Sequence, residues 1–285
     1  MPIKMSLNPD LARQFLNIMG AIVDEFRLHI SKEGWKVAAV DPANVALVII
    51  DLPKDNFDSY EFESDDNWTS NIDGHATGVL EENIAVGVDV DKIKVFFGGM
   101  HEAEIVLDEE LHAPVEFIFS KAPKHGNRYQ LQLKQGMFSR TMLLLPESEI
   151  RRSPKKLVLH LDYKLQLKTI ELQRIVKKAA KVSDYLRLGF RREEGSVTFI
   201  ASTVDGDDFP GEAKKQLHGW QALSDNARYS SSSLFSLDYL CDIAEKIPSE
   251  QVWLHLGQDY PCEISFVIGR TGMVRYKIAP RIQDE

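Results

Sequence analysis

Two cysteines in 285 residues, Cys241 and Cys262, are too few and too far apart for a disulfide framework or a cysteine-based metal site. That usage favours a reducing compartment. Long hydrophobic runs are missing as well. The longest, residues 45–50, has the length of a strand and falls far short of a membrane span. No basic stretch followed by an apolar one opens the chain, so no secretory leader is expected. Positive charge is in deficit: 34 Lys and Arg against 43 Asp and Glu give a formal net charge of -9. This excludes a protein that coats nucleic acid with its whole surface, and any cationic binding surface has to be local. Catalytic signatures are absent too. There is no phosphate-binding glycine loop, dinucleotide fingerprint, HExxH or nucleophile elbow, and no pair of histidines stands at ligand spacing. Asp205-Gly206-Asp207-Asp208 has the carboxylates for a hard cation but reads more simply as an acidic turn. Cys241 reads as packing. The expectation is a protein that is not an enzyme, with no cofactor, metal or membrane contact.

What the chain does have is an internal repeat. Pro114-Val115-Glu116-Phe117-Ile118-Phe119 is echoed by Pro261-Cys262-Glu263-Ile264-Ser265-Phe266, and Arg128-Tyr129 by Arg275-Tyr276. An earlier echo relates Arg27-Leu28 and Glu33-Gly34 to Arg187-Leu188 and Glu194-Gly195. The earlier echo is more widely spaced, so the first half carries extra residues. Residues 63–83, rich in Asp, Asn, Gly, Thr and Ser, read as that insertion, a solvated loop. Leu11, Phe15, Ile18, Met19, Ile22 and Phe26 keep helical spacing. Further helices are expected at 90–97, 170–182 and 237–247. Strands are expected at 27–31, 35–40, 45–52, 105–108, 115–120, 128–133, 197–201, 251–256, 263–268 and 273–278. The fold class is α+β, with two similar domains: residues 1–145 and 164–285, joined by a connector at 146–163. Unpaired edges are expected near 128–133 and 209–217.

One helix carries a chemical message. Within 170–182, Leu172, Ile175, Val176, Ala179 and Val182 gather on one side, while Arg174, Lys177, Lys178 and Lys181 line up on the other. No acid interrupts these four cations, and a phosphate backbone would relieve their repulsion. An ordinary solvated face is the plainer alternative. The other helices are weaker: Arg13 stands on the first, Lys92 and Lys94 lie among acids on the second, and Lys246 follows Asp238, Asp242 and Glu245 on the fourth.

Several segments, in order along nearly the whole chain, resemble the DNA sliding clamps of the proliferating cell nuclear antigen family. Val40-Asp41-Pro42-Ala43-Asn44-Val45-Ala46-Leu47 resembles its MD-x-x-x-V-x-L segment, and Asn56-Phe57-Asp58-Ser59-Tyr60 its G-F-D-x-Y. Gly87-Val88-Asp89-Val90 and Leu237-Asp238-Tyr239-Leu240 resemble the starts of its second and fourth helices, and Ala279-Pro280-Arg281-Ile282 its A-P-[KR]-[IV] terminus. The resemblance implies a duplicated βαβββ clamp fold in a homotrimeric ring, with helices lining a central hole and sheets outside. It implies sequence-independent binding of double-stranded DNA through Arg174 and Lys177, with Arg13; Lys178 and Lys181 join them by helical geometry rather than by the family pattern, and Lys92, Lys94 and Lys246 are further candidates nearby. It also implies a docking site for short peptide motifs of DNA polymerase, clamp loader, flap endonuclease and ligase. Val40, Asn44, Val45, Leu47, Leu159, Leu161, Pro261, Ala279 and Pro280 would form that site; plain core packing is the alternative. Lys277 stands where some members have a tyrosine, which makes the rim more polar. The implied location is the nucleoid in the cytoplasm of a prokaryote-type cell, or the nucleus of a eukaryote. Three other readings are a heterotrimer subunit, a clamp-like scaffold that does not slide on DNA, and a two-domain enzyme of unrecognised type.

Overall fold

The computed structural model describes residues 2–63, 70–72, 82–102, 108–122, 128–152, 157–193, 196–203, 213–217, 219–223, 227 and 229–281. The chain divides into two compact units. The first comprises Met1–Val40, Val48–Leu157 and Val267–Met273; the second comprises Asp41–Leu47, Val158–Phe266 and Val274–Glu285. Each unit thus owns a short segment that the other half of the chain supplies.

The first half runs β1 (Ile3–Leu7), α1 (Pro9–Met19), β2 (Glu25–Ser31), β3 (Gly34–Val40), β4 (Ala46–Pro53), β5 (Ser59–Glu61), β6 (Ser70–Ile72) and β7 (Glu82–Asp89). It continues with α2 (Val90–Glu102), α3 (Asp108–His112), β8 (Val115–Lys121), β9 (Tyr129–Gln135) and β10 (Phe138–Leu143). Asn8 caps α1 by accepting from the amides of Asp10 and Leu11 at 2.9 and 3.4 Å, and Pro9 occupies its first turn. The helix ends at Met19, so Ile22 and Phe26, although at helical spacing, lie in the following turn and in β2. They are buried all the same, because the core accepts an apolar side chain from either element. Two sheets form, one in the order β10-β9-β8-β1-β5 and one containing β4-β3-β2-β7-β6. Trp35 is the hub of their core: its ring meets Phe15, Phe57 and Phe117 edge-on at 5.7, 5.0 and 5.2 Å, and its indole N–H donates to Met5 Sδ at 3.1 Å.

The second half runs β11 (Tyr163–Lys168), α4 (Thr169–Ala179), β12 (Tyr185–Glu193), β13 (Ser196–Thr203), β14 (Ala213–Leu217), β15 (Trp220–Ala222) and β16 (Ser230–Ser236). It closes with α5 (Leu237–Glu245), β17 (Gln251–Leu256), β18 (Cys262–Ile268) and β19 (Gly272–Ile278). Its sheets are β14-β13-β12-β16 and a set ordered β15-β11-β17-β18-β19. The side chain of Gln173 on α4 donates to the carbonyl of Ala244 at 2.9 Å, which ties α4 to α5.

The repeat is present as architecture: strand, helix and antiparallel strands, then a second helix and more strands, occur in both halves. The sheet orders match strand for strand, β10-β9-β8-β1-β5 with β19-β18-β17-β11-β15, so the counterpart of β8 is β17, and the echo of residues 114–119 in 261–266, which sets β8 against β18, falls one strand out of step.

Several expectations need correction. The inserted loop is not wholly irregular, since Ser70–Ile72 forms β6 and pairs with Ile84, Asn83 and Glu82 of β7. Of the expected strand at 105–108, Asp108 begins α3 and the rest lies outside the described residues. Residues 128–133 are no edge: β9 pairs with β8 on one side and β10 on the other. β10 is an edge of that sheet, and the edge expected near 209–217 is β14, paired only with β13 among the described residues.

Candidate functional site

The cationic stripe sits on α4. Leu172, Val176 and Ala179 are buried, while Arg174, Lys177 and Lys178 are exposed, as is Lys181 just beyond the last turn. None of these four side chains has an ion pair or a hydrogen bond among the described residues. The neighbouring α5 has the opposite character, with Asp238, Asp242 and Glu245 exposed. Partial burial, and then the charge of Asp238, raise the pKa of Asp242.

Three of the remaining sequence-predicted cations are committed elsewhere. Arg13 pairs with Asp10 at 3.2 Å and lies 5.4 Å over the ring of Phe97. Lys92 pairs at 3.0 Å with Asp89, which also caps α2 by accepting from the Lys92 amide at 3.0 Å. Lys246 pairs with Glu245 at 3.5 Å. Lys94 lies across Gly20, where no side chain stands in its way. Among these predicted cations, charge without an acidic partner is therefore concentrated on α4, with Lys94 in addition.

The second candidate site begins in the turn that leads into β4. Asp41, 1% exposed, accepts from the amides of Ala43, Val45 and Ala46 at 2.9, 2.7 and 2.7 Å. This is the local bonding that Asp followed by Pro and Asn favours, and Asn44 takes the left-handed conformation at φ 60°. The hydroxyl of Tyr239, at the start of α5, donates to Asp41 at 2.6 Å. Partial burial and then this bond push the phenol up to about 12. With the turn fixed, the carbonyl of Val45 accepts from the amide of Ala279 at 2.8 Å, which brings Ala279 and Pro280 beside it. Arg281 is held in turn by its amide bond to the carbonyl of Leu234 at 2.7 Å.

A second turn lies beside Leu161. The hydroxyl of Ser233 donates to the carbonyl of Gly257 at 2.9 Å and accepts from the amide of Tyr260 at 3.1 Å. Leu161 packs there: its Cδ2 is 3.6 Å from the place a Cβ on Gly257 would take. Leu47 and Leu161 are 6% and 9% exposed, whereas Val45, Leu159, Pro261, Ala279 and Pro280 are half-buried and Asn44 is exposed. Val40 is half-buried at the end of β3. Leu157 and Val158, just before Leu159, are 46% and 59% exposed, an unusual amount for aliphatic side chains. Sequence reasoning missed Asp41, Tyr239 and Ser233 as the groups that fix these turns. The signal for Asp41 is present in Asp41-Pro42-Ala43-Asn44, a turn sequence.

The chain is 33% identical over 99% of its length to the DNA polymerase sliding clamp of Methanococcoides burtonii, of which it covers 99%. It is 31% identical to the sliding clamp of Methanocella arvoryzae over the same shares of both chains. The chain belongs to the DNA polymerase sliding clamp family. Among solved structures, this clamp superposes on A. fulgidus PCNA, determined with the C-terminal region of FEN-1 bound. The TM-score is 0.74 at 26% identity, covering 99% of this chain and 100% of the other. Thermococcus kodakaraensis PCNA shares the fold, with a TM-score of 0.69 at 20% identity, over 98% of this clamp and 100% of that chain. No protein-family model matches the clamp. No helix among the described residues is long and apolar enough to cross a membrane.

Proposed function

We propose that three copies of this clamp close head to tail around duplex DNA and tether DNA polymerase, and enzymes such as a flap endonuclease or ligase, to it. Full-length membership of the sliding clamp family carries this reading. The unpaired edges support the closure: β10 and β14 each offer a row of backbone donors and acceptors, and head-to-tail pairing would satisfy both. In such a ring Arg174, Lys177, Lys178 and Lys181 meet the phosphates with Lys94, while Arg13, Lys92 and Lys246 contribute less because intramolecular acids already engage them. Contacts to phosphate carry no sequence information, so the ring slides. Residues 1–145 and 164–285 act as its repeated domains, with 146–163 as connector. The client peptide docks on Val40, Asn44, Val45, Leu47, Leu159, Leu161, Pro261, Ala279 and Pro280, with its apolar anchors against Leu47 and Leu161.

The clamp itself is a scaffold that catalyses no reaction and works at the chromosome, in the cytoplasm of a prokaryote-type cell. The test is its mass in solution by light scattering, followed by its retention on DNA. A trimer that stays on closed circular DNA in high salt and is lost when the circle is cut supports enclosure. A stable monomer, or equal retention on circular and linear DNA, overturns it. The mass measurement also separates a homotrimer from a chain that assembles only with different partners.

A further inference from the structure

One face of the sheet β15-β11-β17-β18-β19 carries a row of charge that is out of balance. Lys164 of β11 stands opposite His255 of β17, and His255 stands opposite Glu263 of β18. Glu263 holds the Nδ1 of His255 at 3.0 Å with one oxygen and the ammonium of Lys277, on β19, at 3.7 Å with the other. Arg275, two residues before Lys277 and so on the same face of β19, also acts on this carboxylate. Lys164 is held in place by the ring of Trp253, with its ammonium 4.8 Å from the centroid.

Burial alone would raise the pKa of Glu263, but the His255 bond and the charges of Lys277 and Arg275 outweigh it and hold the group below the usual carboxylate range. Glu263 is therefore an anion whose charge is shared among several neighbours. Lys168 shares the alternation of Lys164 along β11, and Asp162, just before the strand, offsets it in charge. The row keeps a positive surplus on a chain whose formal net charge is -9.

The row adjoins the peptide site. Glu263 lies two residues from Pro261, just before β18, and Lys277 two residues from Ala279, just after β19, so each pair is about 7 Å apart along the chain. A peptide with its apolar anchor beside Pro261 and Ala279 would carry its next residues onto this row. We propose that the segment flanking the apolar anchor of a client peptide is acidic, and that Lys164, Arg275 and Lys277 receive it. The inference rests on the proposed peptide site and adds the chemistry of the partner.

The test uses the full-length protein and fluorescent peptides that share one polymerase-tail anchor but differ in flank: Asp- and Glu-rich on either side, Gln- and Ser-rich, or Lys-rich. An acidic flank is expected to bind about 10-fold tighter than the neutral one at low salt, with the gap closing as salt rises. Lys164→Gln with Arg275→Gln should narrow that gap and leave the neutral peptide and the mass of the assembly unchanged. Should the double variant fail to fold, the flank and salt series on the parent protein still decides. Equal affinity for acidic and neutral flanks, or a preference for the basic one, overturns the inference while leaving the peptide site standing. No binding by any peptide overturns the peptide site itself, and the inference with it.

Discussion

Replacing Asp41 by alanine would strip the amides of Ala43, Val45 and Ala46 of their shared acceptor and leave the Tyr239 hydroxyl without its bond. Tyr239→Phe is the gentler probe, because it removes one donor to a buried carboxylate and little volume. It should cost about 1.5–3 kcal/mol, read as a lower denaturation midpoint. The alkaline limb should change as well. A phenol raised to about 12 contributes stability that is complete below its unfolded value of 10.0 and is lost as pH climbs between the two. Stability curves of the parent should therefore fall more steeply between pH 10 and 12 than those of Tyr239→Phe. If the two run parallel, the phenol of Tyr239 is not raised in the folded protein. Leu47 and Leu161 test the adjoining surface. Either one changed to Asp should weaken a polymerase-tail peptide by about 2 kcal/mol or more, roughly 30-fold, with the assembly intact. Fluorescence polarisation showing parental affinity would move the anchors elsewhere.

At the scale of elements, α4 separates two kinds of cation. Arg174 and Lys177 have no ion-pair partner among the described residues, whereas Lys92 and Lys246 already face Asp89 and Glu245. Arg174→Glu with Lys177→Glu should impair DNA retention on any sequence. The salt dependence should flatten by about 0.9 of a log unit per log unit of salt for each phosphate that is no longer neutralised. Peptide binding and mass should not change. Lys121→Glu, an exposed residue at the end of β8, serves as the control. Equal damage from the control would mean that α4 is not the DNA-facing element.

Legibility follows the same division. The α4 stripe is readable because four cations and a buried apolar side repeat at helical spacing. Strands such as β1, β10, β11 and β16 are not announced in the same way. Ile3, Met5 and Leu7 alternate in β1, and Tyr163, Leu165 and Leu167 in β11, so those patterns are present but short, and β11 merges with the connector. β16 gives no signal at all. It reads Ser-Ser-Ser-Ser-Leu-Phe-Ser, a composition that mimics a loop, yet Ser231 and Ser233 are buried, and the hydroxyl of Ser233 fits it to the interior by bonding to Gly257. The peptide site is legible only through family resemblance, since nothing in Leu47 or Leu161 distinguishes an anchor from a core residue.

For the molecule as a whole, the question is which edges close the ring. β10 and β14 have partners on one side only among the described residues, so their outward amides exchange with water unless another chain covers them. Amide exchange should slow in β10 and β14 as protein concentration rises through the assembly range, while the central strands β8 and β12 keep the same protection throughout. Concentration-independent exchange at both edges would exclude them as the joints, whatever the mass in solution.

The hairpin tip at Val267–Met273 belongs to the first compact unit although it is made almost last. Asn56 binds it, accepting from the amides of Arg270 and Thr271 at 2.7 and 3.1 Å and donating to the Thr271 hydroxyl at 2.9 Å. That hydroxyl in turn donates to Asp55 at 2.6 Å. Gly269, at φ 57°, leaves room for this arrangement, since a Cβ there would sit 2.5 Å from the Asn56 oxygen. On the ribosome this ordering has a price in time. The usual sequence, in which an N-terminal domain folds while the rest is still being made, is closed to this chain. The first unit must wait for the amides that bond the side-chain oxygen of Asn56 until nearly the whole polypeptide has emerged. A fragment ending at Leu157 should accordingly accumulate as a loose, protease-sensitive species. The two halves, for all their repetition, are born as one folding unit.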